Sequence, residues 1–359
     1  MTRFGKVIVS VQTYETKCCR SRIVPVDQEL DFALGTKKYT AWAMKQAVRL
    51  GTRMPFETAE DVMWEMLGFA ISRSGIDRYC KKVGNRIDAL RKQRDDEFLE
   101  PVSPLKKVPE PLLQPKRLAL LADATVVLTV AGEEHKSVHC GRAFDLGDRG
   151  VKDDSLRPFL VNSQVCASGE NMEDFSNRFK ALALESGLRN CPQVGFLGDG
   201  ATCLWKLAED KLPSGSVLIQ DFWHVCEHLS QLAKELFEGA WESWFERWKI
   251  CLREGFVDEL ILELKRFRKR FRTKKRSLLI SKINYLCRGK HRMDYARFKR
   301  EGWPIGSGAI ESTCKRLIKT RFNVTGARWR RCNILPMTAL RVSLANKTFA
   351  KDWESIIAA

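Results

Sequence analysis

Apolar and polar positions alternate at the start of the chain, with Val7, Val9 and Val11 at every second residue and Arg22 to Val26 following as a second run. This period of two predicts a short β-ribbon, and a helical pattern from about Tyr39 to Leu50 completes an N-terminal region over residues 1–50. Residues 51–100 then read as two helices, Thr58 to Leu67 and Ile71 to Val83, joined by Gly68-Phe69-Ala70. Two helices around a short glycine-containing turn have the helix-turn-helix layout, which an ordinary αα-hairpin shares. Ser72 is the candidate N-cap of the second helix, Gly75 weakens its intrinsic preference, and Arg73, Arg78, Lys81 and Lys82 are its candidate DNA contacts.

Five prolines between Pro101 and Pro115 exclude a helix and predict an extended linker over 101–117. Beyond it the periodicity changes. Leu118 to Val130 reads as a buried strand, and His135 to Leu146 and Pro158 to Ala167 as two more. Met172, Phe175, Phe179 and Leu182 recur at helical spacing before Gly187, Val194 to Leu197 is a strand, Ala201 to Leu212 a helix, and Val217 to Gln220 a strand. That order predicts an α/β core with some parallel pairing over 118–223. Residues 224–302 are nearly all helical in pattern, an all-α insertion, and 303–359 form the C-terminal part of the core with a basic tail. Trp241, Trp244 and Trp248 recur at helical spacing, which suits the core stripe of a helix better than a base-stacking platform.

Composition narrows the partners. In 359 residues there are 62 Lys and Arg against 44 Asp and Glu, a formal charge of +18 that favours a polyanion, nucleic acid before others. With 44% hydrophobic and 30% charged residues the chain is globular. No apolar run approaches the length of a membrane span, so no membrane partner is expected. The twelve cysteines include no C-x-x-C pair, which predicts reduced thiols in an intracellular protein.

Three acids stand out. Asp123 is the one ionisable residue in the run Leu118 to Leu128, where burying a lone carboxylate is costly unless it is paired or holds a metal. Asp199 lies between Gly198 and Gly200 at a strand end, a turn position when taken alone and a ligand position beside a second acid. Glu311 follows Gly306-Ser307-Gly308, with Ser307 the expected N-cap and Ile310, Cys314 and Leu317 the apolar stripe. Glu311, Lys315 and Lys319 share a second stripe, readable as a solvated Glu–Lys pairing or as a metal-binding carboxylate in line with cations that grip phosphate. Carboxylates of this kind suit phosphoryl transfer at a two-metal site.

In this order — Asp, a second Asp about 76 residues on, a helical insertion, Glu after Gly-Ser-Gly — the chain resembles the DDE transposases of bacterial insertion sequences. Gln220-Asp221-Phe222-Trp223-His224 is similar to the D/C-x-x-H signature of the Mutator-related subset. Gly306 to Lys315 and Arg328-Trp329-Arg330-Arg331 look most like the ISKra-type group. The resemblance covers roughly 118–353, and more weakly the N-terminal region. It implies an α/β, RNase-H-like catalytic core in which Asp123, Asp199 and Glu311 are the catalytic and metal-binding residues, with Asp221 and His224 supporting them. It further implies Mg²⁺ as cofactor, with Mn²⁺ substituting, and cleavage of element ends followed by strand transfer into target DNA. The partner would be double-stranded DNA, the protein a homo-oligomer on that DNA, and the setting the bacterial cytoplasm and nucleoid. Ala124 stands where the family usually has glycine, and adjacent Cys18 and Cys19 replace the spaced cysteines of related ribbons, so no zinc is expected.

His224-Val225-Cys226-Glu227-His228 also matches H-x-x-E-H, the inverted zinc-peptidase motif, which leaves Asp123, Asp199 and the +18 unexplained. A DNA-binding regulator or decayed transposase without catalysis accounts for the charge but not for the three acids. The block Lys265, Arg266, Arg268, Lys269, Arg270, Arg272, Lys274, Lys275 and Arg276 is expected to contact DNA backbone, on one helix that would otherwise repel itself. Arg328 and Arg330 are further candidates for DNA contact, and Trp329 is readable as a base stacker or as core.

Overall fold

A computed structural model describes residues 14–15, 22–23, 39–101, 109–147, 149–151, 158–160 and 162–358. Of the N-terminal ribbon, β1 (Tyr14–Glu15) pairs antiparallel with β2 (Arg22–Ile23). The strand expected at Val7 to Val11, the Cys18-Cys19 pair and residues 102–108 of the proline-rich stretch lie outside the described residues. Helix α1 (Ala41–Arg53) starts at Thr40, whose side chain accepts from Ala43 N, and α2 (Phe56–Leu67) ends at Gly68 in the left-handed region, φ 69°. Helix α3 (Arg73–Leu99) starts at Ser72, whose hydroxyl accepts from Gly75 N.

The second helix of the helix-turn-helix layout does not end near Val83 as expected; α3 runs 27 residues. Its buried positions Ile76, Cys80, Val83, Ile87 and Phe98 continue a helical stripe that the two-helix pattern cut short. The stripe seats on the C-terminal helix α12 (Arg331–Ala345), so the N-terminal helices and the sheet share one hydrophobic core.

Strands β3 (Arg117–Val127), β4 (Lys136–Asp145), β7 (Ser163–Ser168), β8 (Gln193–Gly198) and β9 (Val217–Gln220) form a five-stranded sheet in the order β7-β4-β3-β8-β9. β3, β4 and β7 are antiparallel, while β8 and β9 run parallel to β3. The third strand expected, Pro158 to Ala167, is instead divided into β6 (Pro158–Leu160), which pairs with β5 (Arg149–Val151), and β7. Leu118, Leu120 and Ala122 pack on α4 (Met172–Glu185) and α5 (Thr202–Lys211) through Phe175, Phe179 and Leu204. Ala119, Leu121 and Val127, at the alternate positions, join the core that holds Ile310 and Cys314. A strand covered on both faces reads as a continuous apolar run, which is why β3 was legible.

The insertion is helical as expected: α6 (Phe222–Leu236), α7 (Trp241–Arg253), α8 (Val257–Phe267), α9 (Thr273–Gly289) and α10 (Tyr295–Arg300). Trp244 and Trp248 are core residues of α7, and both indole N–H groups donate to Glu263 Oε1, at 2.7 and 2.9 Å. The helix of Glu311, α11, spans 308–322, with Lys315–Lys319 in a π-turn. The chain closes with α12 and α13 (Phe349–Ala358). Among the described residues no helix is long and apolar enough to cross a membrane.

Two contacts lock α3 to the core. Arg178 on α4 bridges to Asp88 at 2.8 Å, and Arg91 bridges to Asp95 and Glu185 at 2.8 Å each, a largely buried charge network. Gly84 meets the backbone of Pro336 in α12 so closely that a Cβ there would sit 2.2 Å from the Pro336 carbonyl oxygen. Backbone cannot yield as a side-chain end does, so Gly84→Ala is expected to destabilise by about 3 kcal/mol. Asn85→Ala, at an exposed neighbouring position, should leave the melting temperature unchanged in the same thermal unfolding experiment.

Candidate active site

Asp123 sits near the C-terminal end of β3, on the face that α11 covers, opposite Cys140 of β4. Its Oδ1 accepts from Ala124 N at 2.7 Å. β8 pairs in parallel with β3 up to Leu121↔Leu197, and continuing that register by two residues brings Asp199 opposite Asp123. Asp199 Oδ1 accepts from Ala201 N at 2.9 Å, the bond of a turn residue. Glu311 lies in the first turn of α11, exposed, with the Ser307 hydroxyl donating to Oε1. Burial raises the Asp123 carboxyl above the ordinary value, and the negative charges of Asp199 and Glu311 raise it further, against the Ala124 N–H and the Cys314 thiol. Asp199 and Glu311, 76 and 188 residues away in sequence, thus both bear on Asp123 in the fold.

Asp221 organises the ends of the elements that carry them. The residue is fully buried; Oδ1 accepts from His224 N at 2.8 Å and caps α6, and Oδ2 accepts from Ser307 N, one residue ahead of α11. Its own N–H donates to Gly198 O at 2.9 Å, and Phe222 N donates to Ile305 O at 2.9 Å. Ser307 was expected to cap α11 through its side chain. Instead its carbonyl accepts from Ile310 and Glu311 N–H, which frees the hydroxyl to hold the Glu311 carboxylate. His224 lies beyond the end of β9, in the first turn of α6.

The π-turn explains how Glu311, Lys315 and Lys319 stay on one exposed face. In an α-helix each four-residue step overshoots a turn by about 40°, and a stripe of that spacing drifts around the helix. Residues Lys315–Lys319 form i→i+5 bonds, Thr320 N–H donating to Lys315 O, and this wider turn offsets the drift. Ile310, Cys314, Ile318 and Phe322 accordingly stay buried at strict four-residue spacing.

The insertion sets His228, already marked by the H-x-x-E-H match, against Lys282 and Tyr285, which the pattern did not single out. His228, one turn beyond His224 with rings 4.7 Å apart, has Nδ1 2.5 Å from Lys282 Nζ on α9. Burial, Lys282 and His224 push the His228 imidazole down to about 4, with Asp199 opposing, and burial also lowers the Lys282 ammonium. The Tyr285 ring packs at a tilt of 58° against His228, centroids 4.5 Å apart, and its hydroxyl lies 3.3 Å from where a Gly200 Cβ would be. Asp199 and Asp221 both raise the Tyr285 phenol, after burial. Lys282 and Tyr285 share a helix face at i, i+3, a spacing too common in helices to mark a site. The pairing of His228 with an ammonium opposes cation binding there, and Glu227 of the H-x-x-E-H match is exposed.

Other expected contacts are placed apart from these acids. Arg73 pairs with Glu57 at 3.4 Å and Lys81 with Asp77 at 2.6 Å, whereas Arg78 is exposed. The basic block does not lie on one helix: Lys265 and Arg266 end α8, Thr273 takes φ 49°, and Lys274, Lys275 and Arg276 open α9. The break spreads the repulsion over a helix–turn–helix tip, leaving Arg268, Lys269, Arg270 and Arg272 in the exposed connection. Trp329 is core, bridged to Thr129 and packed on Phe322 at 4.7 Å, with Arg328 and Arg330 exposed beside it.

Three carboxylates form an all-oxygen donor set of the type that hard divalent cations take, and their mutual repulsion is what a cation would relieve. In the present arrangement no group of three His, Cys, Asp or Glu among the described residues is disposed to hold a metal ion. The donor chemistry thus fits, while the closed ligand cage is not preformed. The sequence matches no protein-family model and no curated protein.

Asp199→Asn should lower the Asp123 pKa, because one of the charges raising it is removed; carbon-detected NMR titration of the Asp123 carboxyl reads the shift, and an unchanged value would place the two apart. Asp221→Ala leaves two N–H groups without their acceptor and should cost about 2–5 kcal/mol in thermal unfolding.

Proposed function

We propose that this chain is a DDE transposase with an RNase-H-like catalytic core, of the ISKra-type group that its motifs resemble, cleaving DNA at insertion-sequence ends and transferring the freed strand into target DNA. The observation carrying the proposal is the β3–β8 register, which brings Asp199 opposite Asp123 on adjacent parallel strands, with Glu311 on the helix that packs over the same face of the sheet. The sheet order, with three antiparallel strands followed by two parallel to the first and an all-helical insertion before Glu311, supports the same reading.

Asp123, Asp199 and Glu311 would hold Mg²⁺, or Mn²⁺ in its place. When bound, such ions polarise the scissile phosphodiester and lower the proton affinity of the attacking oxygen. In the first step water attacks phosphorus at the element end and a 3′-hydroxyl departs; in the second that hydroxyl attacks a target phosphodiester and a new 3′-hydroxyl is released. Asp221 holds Ser307 through its main chain, and the Ser307 hydroxyl restrains the Glu311 carboxylate. Lys282, drawn to His228 beside Asp199, is placed to neutralise a substrate phosphate. Lys315 and Lys319 and the 265–276 tip supply sequence-independent grip on duplex DNA. DNA as substrate puts the protein with the bacterial nucleoid, acting as a homo-oligomer on the element ends, and nothing in this chemistry calls for zinc.

Incubation of the protein with duplexes carrying its flanking DNA and Mg²⁺ should yield strand nicks at the element boundary, abolished by a chelator. Glu311→Gln should reduce nicking about a thousandfold or more while DNA affinity stays at the parent value. A parent protein that binds DNA but never nicks it would leave the non-catalytic regulator in place of this reading.

A further inference from the structure

The helix of Glu311 also carries a cluster of arginines that the acids do not use. Arg341 of α12 donates to the Arg316 and Leu317 carbonyls inside the π-turn, to Thr320 Oγ1 at 2.9 Å, and across to Thr52 O at the end of α1 at 2.7 Å. Arg321 donates from Nε to Gly51 O at 3.0 Å and lies between the rings of Phe56 and Trp329, 4.6 and 4.8 Å from their centroids. It is 4% exposed, yet one of its terminal nitrogens has no hydrogen-bond partner. Arg53 and Arg316 are exposed, and their guanidinium groups make no hydrogen bond or ion pair among the described residues.

These groups crowd one another. Burial and then Arg321, Arg316 and Arg53 push the Arg341 guanidinium down to about 10, and Arg142 on β4 is likewise lowered by burial and Arg316. Among the described residues no carboxylate offsets Arg341, and the one that acts on Arg321, Asp77, is itself paired with Lys81. Guanidinium groups held together without a counter-charge are unfavourable unless an anion joins them, and planar guanidinium forks match phosphate oxygens. Two of the four, Arg341 and Arg321, are fixed by main-chain acceptors, so the array is rigid on one side and free on the other. Arg316 follows Glu311 by five residues, about 7 Å along the helix axis.

We propose that Arg53, Arg316 and Arg341, backed by Arg321, form a phosphate-binding surface that holds duplex DNA leading from Glu311 to the N-terminal helices. This inference rests on the reading of the chain as a DNA-cleaving enzyme and adds a surface which that reading does not contain. The surface joins α1, α11 and α12, so the same contacts that seat the duplex brace the π-turn behind Glu311. Its contribution is to affinity and to the direction of the duplex at the site, without sequence preference.

The test uses the full chain, a metal-free buffer and a fluorescent DNA duplex, with affinity measured by anisotropy between about 50 and 200 mM salt. The variant is Arg53→Gln with Arg316→Gln, two exposed side chains without partners among the described residues, so the melting temperature should hold. The slope of log affinity against log salt should become shallower by about 2. A charge-matched variant, Lys299→Gln with Arg300→Gln at exposed positions of α10 and its end, should leave the slope at the parent value. An unchanged slope in the first variant, an equal loss in the second, or an equal loss on single-stranded DNA would overturn the proposal. Nicking separates the two readings: an intact Mg²⁺-dependent cut with an unchanged slope removes this surface and leaves the enzyme, whereas a shallower slope in a protein that never cuts removes the enzyme and leaves the surface.

Discussion

The buried carboxylate of Asp221 is the constraint on which the site depends. One oxygen ends the sheet and begins α6, and the other holds the chain entering α11, 86 residues later, at Ser307. A carboxylate with no exposure persists only where N–H groups or cations satisfy it, and here both oxygens are used by main chain. The consequence is mechanical. Glu311 arrives from beyond a long helical insertion, yet its helix starts at a point fixed relative to Gly198, the residue before Asp199. The cost of bringing together segments so far apart in sequence is offset by hydrogen bonds in the one place where their relative position matters.

A second level of constraint comes from charge. The acids at the strand ends repel one another, and the arginines behind the π-turn do the same a short distance along α11. Each cluster is held by neutral groups: N–H donors, a serine hydroxyl and a thiol on one side, and main-chain carbonyls and aromatic faces on the other. Neither is internally neutralised, which is the arrangement expected of surfaces completed by a cation and by a polyanion. The buried network of Arg91, Arg178, Asp88 and Glu185 differs in this respect, since every charge there has a partner and its effect is to seat α3 on α4.

Much of the fold was legible because burial on both faces leaves a strong mark. β3, β9 and the stripe of α4 were readable within two or three residues, as was the cap Ser72 of α3, where a short polar side chain has a local reason to be. What periodicity missed were features set by a distant neighbour. The true length of α3 depends on α12 passing within backbone contact of Gly84. The split of the third strand and the break inside the basic block depend on pairing and repulsion that no local window contains. Ser307 shows the same limit from the other side: the residue was chosen correctly for a helix start, but the partner of its hydroxyl was decided by Glu311 one turn away.

By itself the sequence determined which residues are chemically anomalous: Asp123 in an apolar strand, Asp199 between two glycines, Glu311 at a helix start, and nine cations in twelve residues. Residue type and local period are properties of the chain, so such anomalies appear before folding. Tertiary structure alone decided that Asp199 and Glu311 come to bear on Asp123, that Lys282, His228 and Tyr285 gather beside Asp199, and that Arg53, Arg316, Arg321 and Arg341 converge. Those relations are set by sheet register, by the capping of two helices by one carboxylate and by helix packing, over separations at which sequence spacing carries no distance.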